Sequence, residues 1–276
     1  MKINLFILGM QRCGTTSLFN YLKNHQKISY TKIKETNLFS DSNFTNKNHN
    51  THSSFKINLK NYKGYLNIKK NSAYLLEASV NHFYSKLAPE KIYKYNPRSK
   101  FIIIYREPIS RLKSHYYMDL LNGHNKLDIN KSIKKEIVED KIAGSDLGYL
   151  EMSKFAKFFK NWLKFFDRSN FLVLSYDELF NTNNGTERVE KFLCLKMINS
   201  IPFQNSTLKL KNYKLLNIYA ILKKLIPKFF ITPKIKYLIF RYFRTEKFDP
   251  ISEINKKKLN ELFYRDYNHF MKIKNK

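Results

Sequence analysis

The sequence predicts an α/β fold, a three-layer sandwich with a central parallel sheet flanked by helices. Two observations carry this. Short apolar runs alternate with segments of helical periodicity along the chain. The run at 101–105, Phe-Ile-Ile-Ile-Tyr, holds no polar residue, as a strand buried on both faces of a parallel sheet requires. The 276 residues suffice for a full core, since a chain of this size buries roughly three quarters of its unfolded surface.

Each element follows from local signals. Residues 3–8 form an apolar run that ends at Gly9, and Thr15–Leu22 carries apolar periodicity, so the start reads strand, tight loop, helix. Residues 27–30 fit a short second strand. The stretch 36–68 is rich in Asn, Ser, Thr, His and Lys and is expected to be a long surface excursion or lid. Pro89 stands in the first turn of a helix expected over 88–97. After the 101–105 strand, Pro108 opens a helix to Asn122, with Gly123 as its stop. A helix over 146–166, a buried strand over Phe171–Ser175 and helices over 186–195 and 252–271 complete the pattern. No internal repeat is present, and 1–276 is expected to be one domain.

Composition narrows the class. Hydrophobic residues at 43% and aromatics at 16% fit a globular chain rather than a disordered one. The net charge of +29 leaves two explanations open: attraction to anionic partners, or drift toward Lys, Asn, Ile, Tyr and Phe in an AT-rich genome. From Lys191 to Thr245 there is no acidic residue. This basic part, within an expected helical region over 200–276, reads either as a cap with snorkelling lysines or as a surface for an anionic acceptor or a membrane. The opening residues lack a small-residue cleavage site, no apolar run reaches a membrane span, and Cys13 and Cys194 cannot build a disulfide framework. A cytoplasmic chain, with peripheral membrane contact possible, is the expectation. The seven histidines show no metal-ligand spacing.

Two constellations carry chemistry. Gly9-Met-Gln-Arg-Cys-Gly14-Thr15-Thr16 has the spacing of the phosphate-binding P-loop, GxxxxGK[ST], with Thr15 in place of the Lys. Its expected ligand-binding residues are Gln11, Arg12, Cys13, Gly14, Thr15, Thr16 and Ser17. The loop and helix N-terminus present N–H groups to a phosphate, the hydroxyls add donors, and Arg12 supplies the missing positive charge. Cys13, beside a helix N-terminus, reads as a small loop filler before a nucleophile. The fold is therefore expected to be P-loop-like, without an NTPase's lysine. The second constellation is Arg106, at the carboxyl end of a buried strand, with Ser114 two helical turns into the next helix. An NTPase strand would end there in a magnesium-binding Asp. The simplest ligand has two separated phosphates, one at the loop and one at Arg106 and Ser114.

These segments resemble PAPS-dependent sulfotransferases (PAPS is 3′-phosphoadenosine 5′-phosphosulfate), especially the Golgi heparan sulfate N- and 3-O-sulfotransferase type and its bacterial relatives. FILGMQRCGTTSL is similar to the family's 5′-phosphosulfate loop, and YREPISRLKSHY to its 3′-phosphate motif. Lys34-Glu35-Thr-Asn-Leu-Phe39 is similar to the KExxFF stretch, which implies that Glu35 is the catalytic base, and the loop similarity implies that Arg12 is a catalytic cation. Glu77-Ala-Ser79 resembles the segment joining the two motifs, but Val80 stands where a Pro is usual, and the disulfide-flanked KGR-type loop is not visible. The resemblance covers about residues 3–195. It implies PAPS as donor with 3′,5′-bisphosphate PAP as product, no metal, no specific nucleic acid, and a hydroxyl or amine acceptor on a carbohydrate or glycolipid. A variant P-loop kinase and a non-catalytic nucleic-acid-binding protein stay as alternatives.

Overall fold

The computed structural model describes residues 1–41, 58–122, 124–143, 147–182, 184–196 and 250–275. Among these, six strands form one sheet: β1 (Leu5–Ile7), β2 (Ile28–Thr31), β3 (Leu66–Asn67), β4 (Tyr74–Ala78), β5 (Lys100–Tyr105) and β6 (Phe171–Ser175). Their order is β3-β2-β4-β1-β5-β6, and every pairing is parallel except that of β3 with β2 at the edge. The helices are α1 (Thr15–Leu22), α2 (Asn81–Tyr84), α3 (Ala88–Tyr95), α4 (Pro108–Asn122), α5 (Ile129–Val138), α6 (Phe155–Trp162), α7 (Tyr176–Asn181), α8 (Asn184–Leu193) and α9 (Glu253–Lys274). This is the expected sheet flanked by helices, with one antiparallel strand at its edge.

The described residues fall into two compact units. One takes those of 1–107, 154–205 and 266–276, and the other those of 108–153 and 206–265. The first unit contains the sheet. Its middle is an aromatic stack: Phe101 lies 5.6 Å from Phe6 and 4.8 Å from Phe171, ring centre to ring centre, with Trp162 edge-on at 5.2 Å. All four rings are buried, and each such pair adds about 0.5–1.5 kcal/mol beyond its area. The Trp162 indole N–H donates to the Phe83 carbonyl at 3.1 Å, so the buried ring leaves no orphan donor.

The second unit is helical in its described part. Leu112, Tyr116 and Leu120 of α4 pack with Ile129 and Ile133 of α5 and Leu259 and Phe263 of α9. Beside them runs a buried polar row on α4. Arg111 donates to Ser153 Oγ at 2.9 Å and to the Tyr149 carbonyl at 2.8 Å, and Tyr149 donates to Asp119 at 3.0 Å. Arg111 is thus committed to holding this unit together.

Among the departures from the sequence reading, three have a clear physical cause. First, β4 was not expected, because Glu77 interrupts its apolar run, yet it lies between β2 and β1. Second, the helix expected over 146–166 is broken. The Glu136 carboxylate accepts from the N–H groups of Ala143, Tyr149 and Leu150, and Gly148 is left-handed at φ +83°, so the chain turns there. Helix α6 starts afresh at Phe155, its first-turn N–H groups at Ala156 and Lys157 capped by Asp266 from α9 at 3.0 and 3.1 Å. Third, α5 was missed although Asp128 caps it, accepting from Asn130 and Lys131 at 2.9 and 3.0 Å. The expected excursion at 36–68 falls mostly outside the described residues. Its described ends are the 36–41 segment and a stretch that includes β3. Of the basic part at 200–276, only 250–275 is described, most of it as α9.

Candidate functional site

The parallel strands all deliver their carboxyl ends to one edge of the sheet, the edge at which open α/β sheets bind ligands. The phosphate-type loop leaves β1, the Glu35 segment follows β2, Ser79 follows β4, Arg106 follows β5 and Tyr176 follows β6.

The loop turns tightly. Arg12 and Gly14 are both left-handed, at φ +71° and +89°. The Cys13 N–H bonds back to the Met10 carbonyl at 3.1 Å, and the Met10 N–H bonds across to Ile104 of β5 at 2.8 Å. Gly9 is required by a close approach: a Cβ there would lie 2.1 Å from the Thr15 methyl. The residue that replaces the expected Lys therefore folds its methyl back onto the loop's first glycine. Gly14 is required twice, by its φ and by the Phe180 ring, which a Cβ would meet at 2.3 Å. Helix α1 begins here with no acidic residue in its first turn and no side-chain cap, so its first N–H groups and the positive end of its dipole lie at the loop. Of the hydroxyls, Thr15 and Ser17 are buried and Thr16 is exposed. Cys13 is fully buried, with its thiol 3.7 Å from the Gln11 carbonyl, as a loop filler would be.

Arg106 reaches the same place. Its guanidinium lies over the Tyr176 ring, 4.6 Å from the centre, a cation–π arrangement. Burial pushes the Tyr176 hydroxyl up in pKa, while the Arg106 cation and, more weakly, Arg12 pull it down; the net direction is up. Tyr176 also packs on Phe180 at 4.8 Å, so α7 forms an aromatic wall beside the loop. Ser114, expected to partner Arg106, is buried on α4 in the second unit.

Glu35 sits on a short left-handed turn, with φ +62° at Glu35 and +53° at Asn37. Its N–H bonds to the Ala78 carbonyl at 2.8 Å, and its carboxylate accepts from the Val80 N–H at 2.9 Å and pairs with Lys34. Strands β1 and β4 are adjacent, with Ile7 opposite Ala78, so this carboxylate and the loop leave the sheet side by side. Val80 matters chemically here, because a proline at that position would have no N–H to donate.

Residues 2–224 match a protein family described as the sulfotransferase domain. The chain belongs to the sulfotransferase family. Relatives include mouse heparan sulfate glucosamine 3-O-sulfotransferase 6, 24% identical over 195 residues, which are 70% of this chain and 52% of that protein. Human heparan sulfate glucosamine 3-O-sulfotransferase 5 is 27% identical over 192 residues, 68% of this chain and 52% of the relative. Mouse bifunctional heparan sulfate N-deacetylase/N-sulfotransferase 4 is 26% identical over 194 residues, 68% of this chain and 22% of that protein. The chain spans about half the length of the 3-O-sulfotransferases it matches. A crystal structure of a sulfotransferase from Alicyclobacillus acidocaldarius shares the fold, with a TM-score of 0.64 and 20% identity over 96% of both chains.

Within this sulfotransferase chain, sequence reasoning missed Tyr176 and Phe180. The position of Tyr176 directly after a buried strand next to β5 was the available signal. It also gave no role to Glu77 or His82, both fully buried beneath the Glu35 turn. Among the described residues, no group of three or more His, Cys, Asp or Glu could hold a metal ion, and no helix is long and apolar enough to cross a membrane.

Proposed function

We propose that this chain transfers the sulfuryl group of PAPS to a hydroxyl or amine of a carbohydrate or glycolipid acceptor. The observation that carries this reading is the meeting, at α7, of the lysine-free loop, whose Gly14 lies against Phe180, and of Arg106, whose guanidinium lies over Tyr176. The donor set there is chemically matched to an anion bearing separated phosphates: backbone N–H groups, hydroxyls and guanidinium groups, with no acid in the first turn of α1. PAPS, when bound, supplies an electrophilic sulfur and a phosphate leaving group. The loop from Gln11 to Ser17 holds the 5′ side, and Arg106 holds the 3′-phosphate.

Glu35 accepts the proton of the attacking acceptor, a contribution typically worth about 10²–10⁴ in rate. Val80 and Lys34 fix where its carboxylate points. Arg12 and the loop N–H groups stabilise the negative charge that grows on the leaving phosphate. Family membership supports PAPS as donor, and relatives named for heparan sulfate support a glycan acceptor.

The test is thermal stability with PAP, run beside ADP and ATP with and without magnesium. PAP at 100 times its dissociation constant should add about 2.7 kcal/mol of stability, independently of metal. A response to ATP that requires magnesium, with none to PAP, would replace this reading by a kinase.

A further inference from the structure

We propose that Glu77 is a positioning residue that holds the Glu35 turn in register through a buried hydrogen-bond network with Thr36, Ser79 and His82. The inference rests on Glu35 being the base, and adds what fixes it in place.

Glu77 lies on β4 with no exposure, in a strand whose other inward residues are apolar. A carboxylate in such a place is costly unless its oxygens are satisfied. Here Thr36 donates to Oε1 at 2.6 Å, and Ser79 donates to the same oxygen. The Oε2 atom faces His82 Nδ1 at 3.3 Å, in imperfect alignment. His82 is oriented from its other side: Nε2 accepts from the Phe39 N–H at 3.2 Å, which leaves Nδ1 to carry a ring proton toward Glu77. Burial pushes the Glu77 carboxyl up in pKa, but the nearness of His82 and the bonds from Ser79 and Thr36 outweigh it, and the net direction is down.

Every partner of Glu77 also grips the 35–39 segment. Thr36 belongs to it. Ser79 Oγ, while donating to Glu77, accepts from the Asn37 N–H at 3.0 Å. His82 holds the Phe39 N–H, and the buried Phe39 ring packs edge-on to Phe6 at 5.9 Å. Left-handed backbone at two residues other than glycine is unfavourable by itself and persists only where the surroundings over-determine it. The network around Glu77 supplies that over-determination. Its geometry serves the turn carrying Glu35, which neither a packing residue nor a strand-end ion pair would need to do.

The test compares Glu77→Gln and Thr36→Val with Glu35→Gln and the Glu35→Gln/Glu77→Gln double variant. Gln keeps the volume of Glu77 but cannot satisfy the hydroxyls and His82 Nδ1 together as the carboxylate does. Thr36→Val cuts the loop-side contact without touching β4, and carries the test if Glu77→Gln does not fold. Amide hydrogen exchange needs no acceptor. In both variants the amides of Glu35, Asn37 and Phe39 should exchange roughly tenfold faster or more, while those of α1 and β5 stay unchanged.

Turnover is read with labelled PAPS and desulfated heparan sulfate. In Glu77→Gln, kcat should fall roughly 10- to 100-fold at unchanged PAP affinity, and the double variant should be no slower than Glu35→Gln alone. Unchanged exchange in both variants, losses that multiply in the double variant, or a matching loss of PAP affinity would each overturn the proposal. Near-normal turnover in Glu35→Gln would instead remove Glu35 as the base, and this inference with it. A damaged Glu35→Gln beside normal Glu77→Gln and Thr36→Val enzymes would leave the base standing and remove the positioning role.

Discussion

Arg106 illustrates how much one residue's place in the chain can disclose. It follows five apolar residues of a buried strand, so its side chain emerges at the carboxyl edge of the sheet, and the structure finds it there over Tyr176. Arg12 was legible for a similar reason, being the cation inside a loop of recognisable spacing. Tyr176 and Glu77 were not legible. The aromatic partner of Arg106 opens the helix after β6, a strand that begins 66 residues beyond the end of β5 (Tyr105 to Phe171), and a lone Glu in an apolar run gives no hint of which hydroxyls will satisfy it. Arg106→Ala removes a charge-assisted contact worth about 1.5–3 kcal/mol, so PAP affinity should fall about 10- to 100-fold. The fold should be kept, because the side chain leaves the sheet edge. Calorimetric titration with PAP reads this directly, and an unchanged dissociation constant would take Arg106 out of the donor site.

At the scale of elements, the loop between β1 and α1 shows sequence spacing becoming geometry. The two glycines were legible as a tight turn, but their separate reasons were not: Gly9 yields to the Thr15 methyl and Gly14 to the Phe180 ring. The second reason is tertiary, since Phe180 lies on α7. The same limit explains the broken 146–166 helix, whose end is dictated by Glu136 and whose new start is capped by Asp266, neither of them local. Gly14→Ala tests the loop. The left-handed φ alone costs an L-residue about 1–2 kcal/mol, and the methyl must also displace the Phe180 ring. The variant should be destabilised by at least that amount in urea unfolding, and should lose PAP binding more than in proportion. Wild-type stability with intact binding would mean that the turn tolerates a side chain and that the loop's shape is not set there.

Over the whole molecule, 51 cationic residues face 22 acidic ones, a net charge of +29. Protonating carboxylates therefore adds to self-repulsion in the compact state. Among the described residues, the carboxyls of Glu77 and Glu178 are held below their ordinary value of 4.5. For Glu77 burial pushes up, and the nearness of His82 with the bonds from Ser79 and Thr36 wins. For Glu178 burial also pushes up, and the bonds from Ser175, then the charges of Arg188 and Lys274, win. A carboxylate whose folded pKa is depressed adds stability above its unfolded pKa and loses it as pH falls through the folded one. Acidification from about pH 7 should therefore leave the melting temperature nearly level until about pH 5, then lower it steeply. Glu77→Gln carries no ionisable group at that site. Its deficit against wild type should be largest near neutrality and should narrow below about pH 4, as wild-type Glu77 takes up its proton. Melting curves of the two proteins across that range decide the point. Curves that stay parallel down to about pH 3 would show that Glu77 contributes through shape alone, and that the acid sensitivity arises elsewhere, at Glu178 among others.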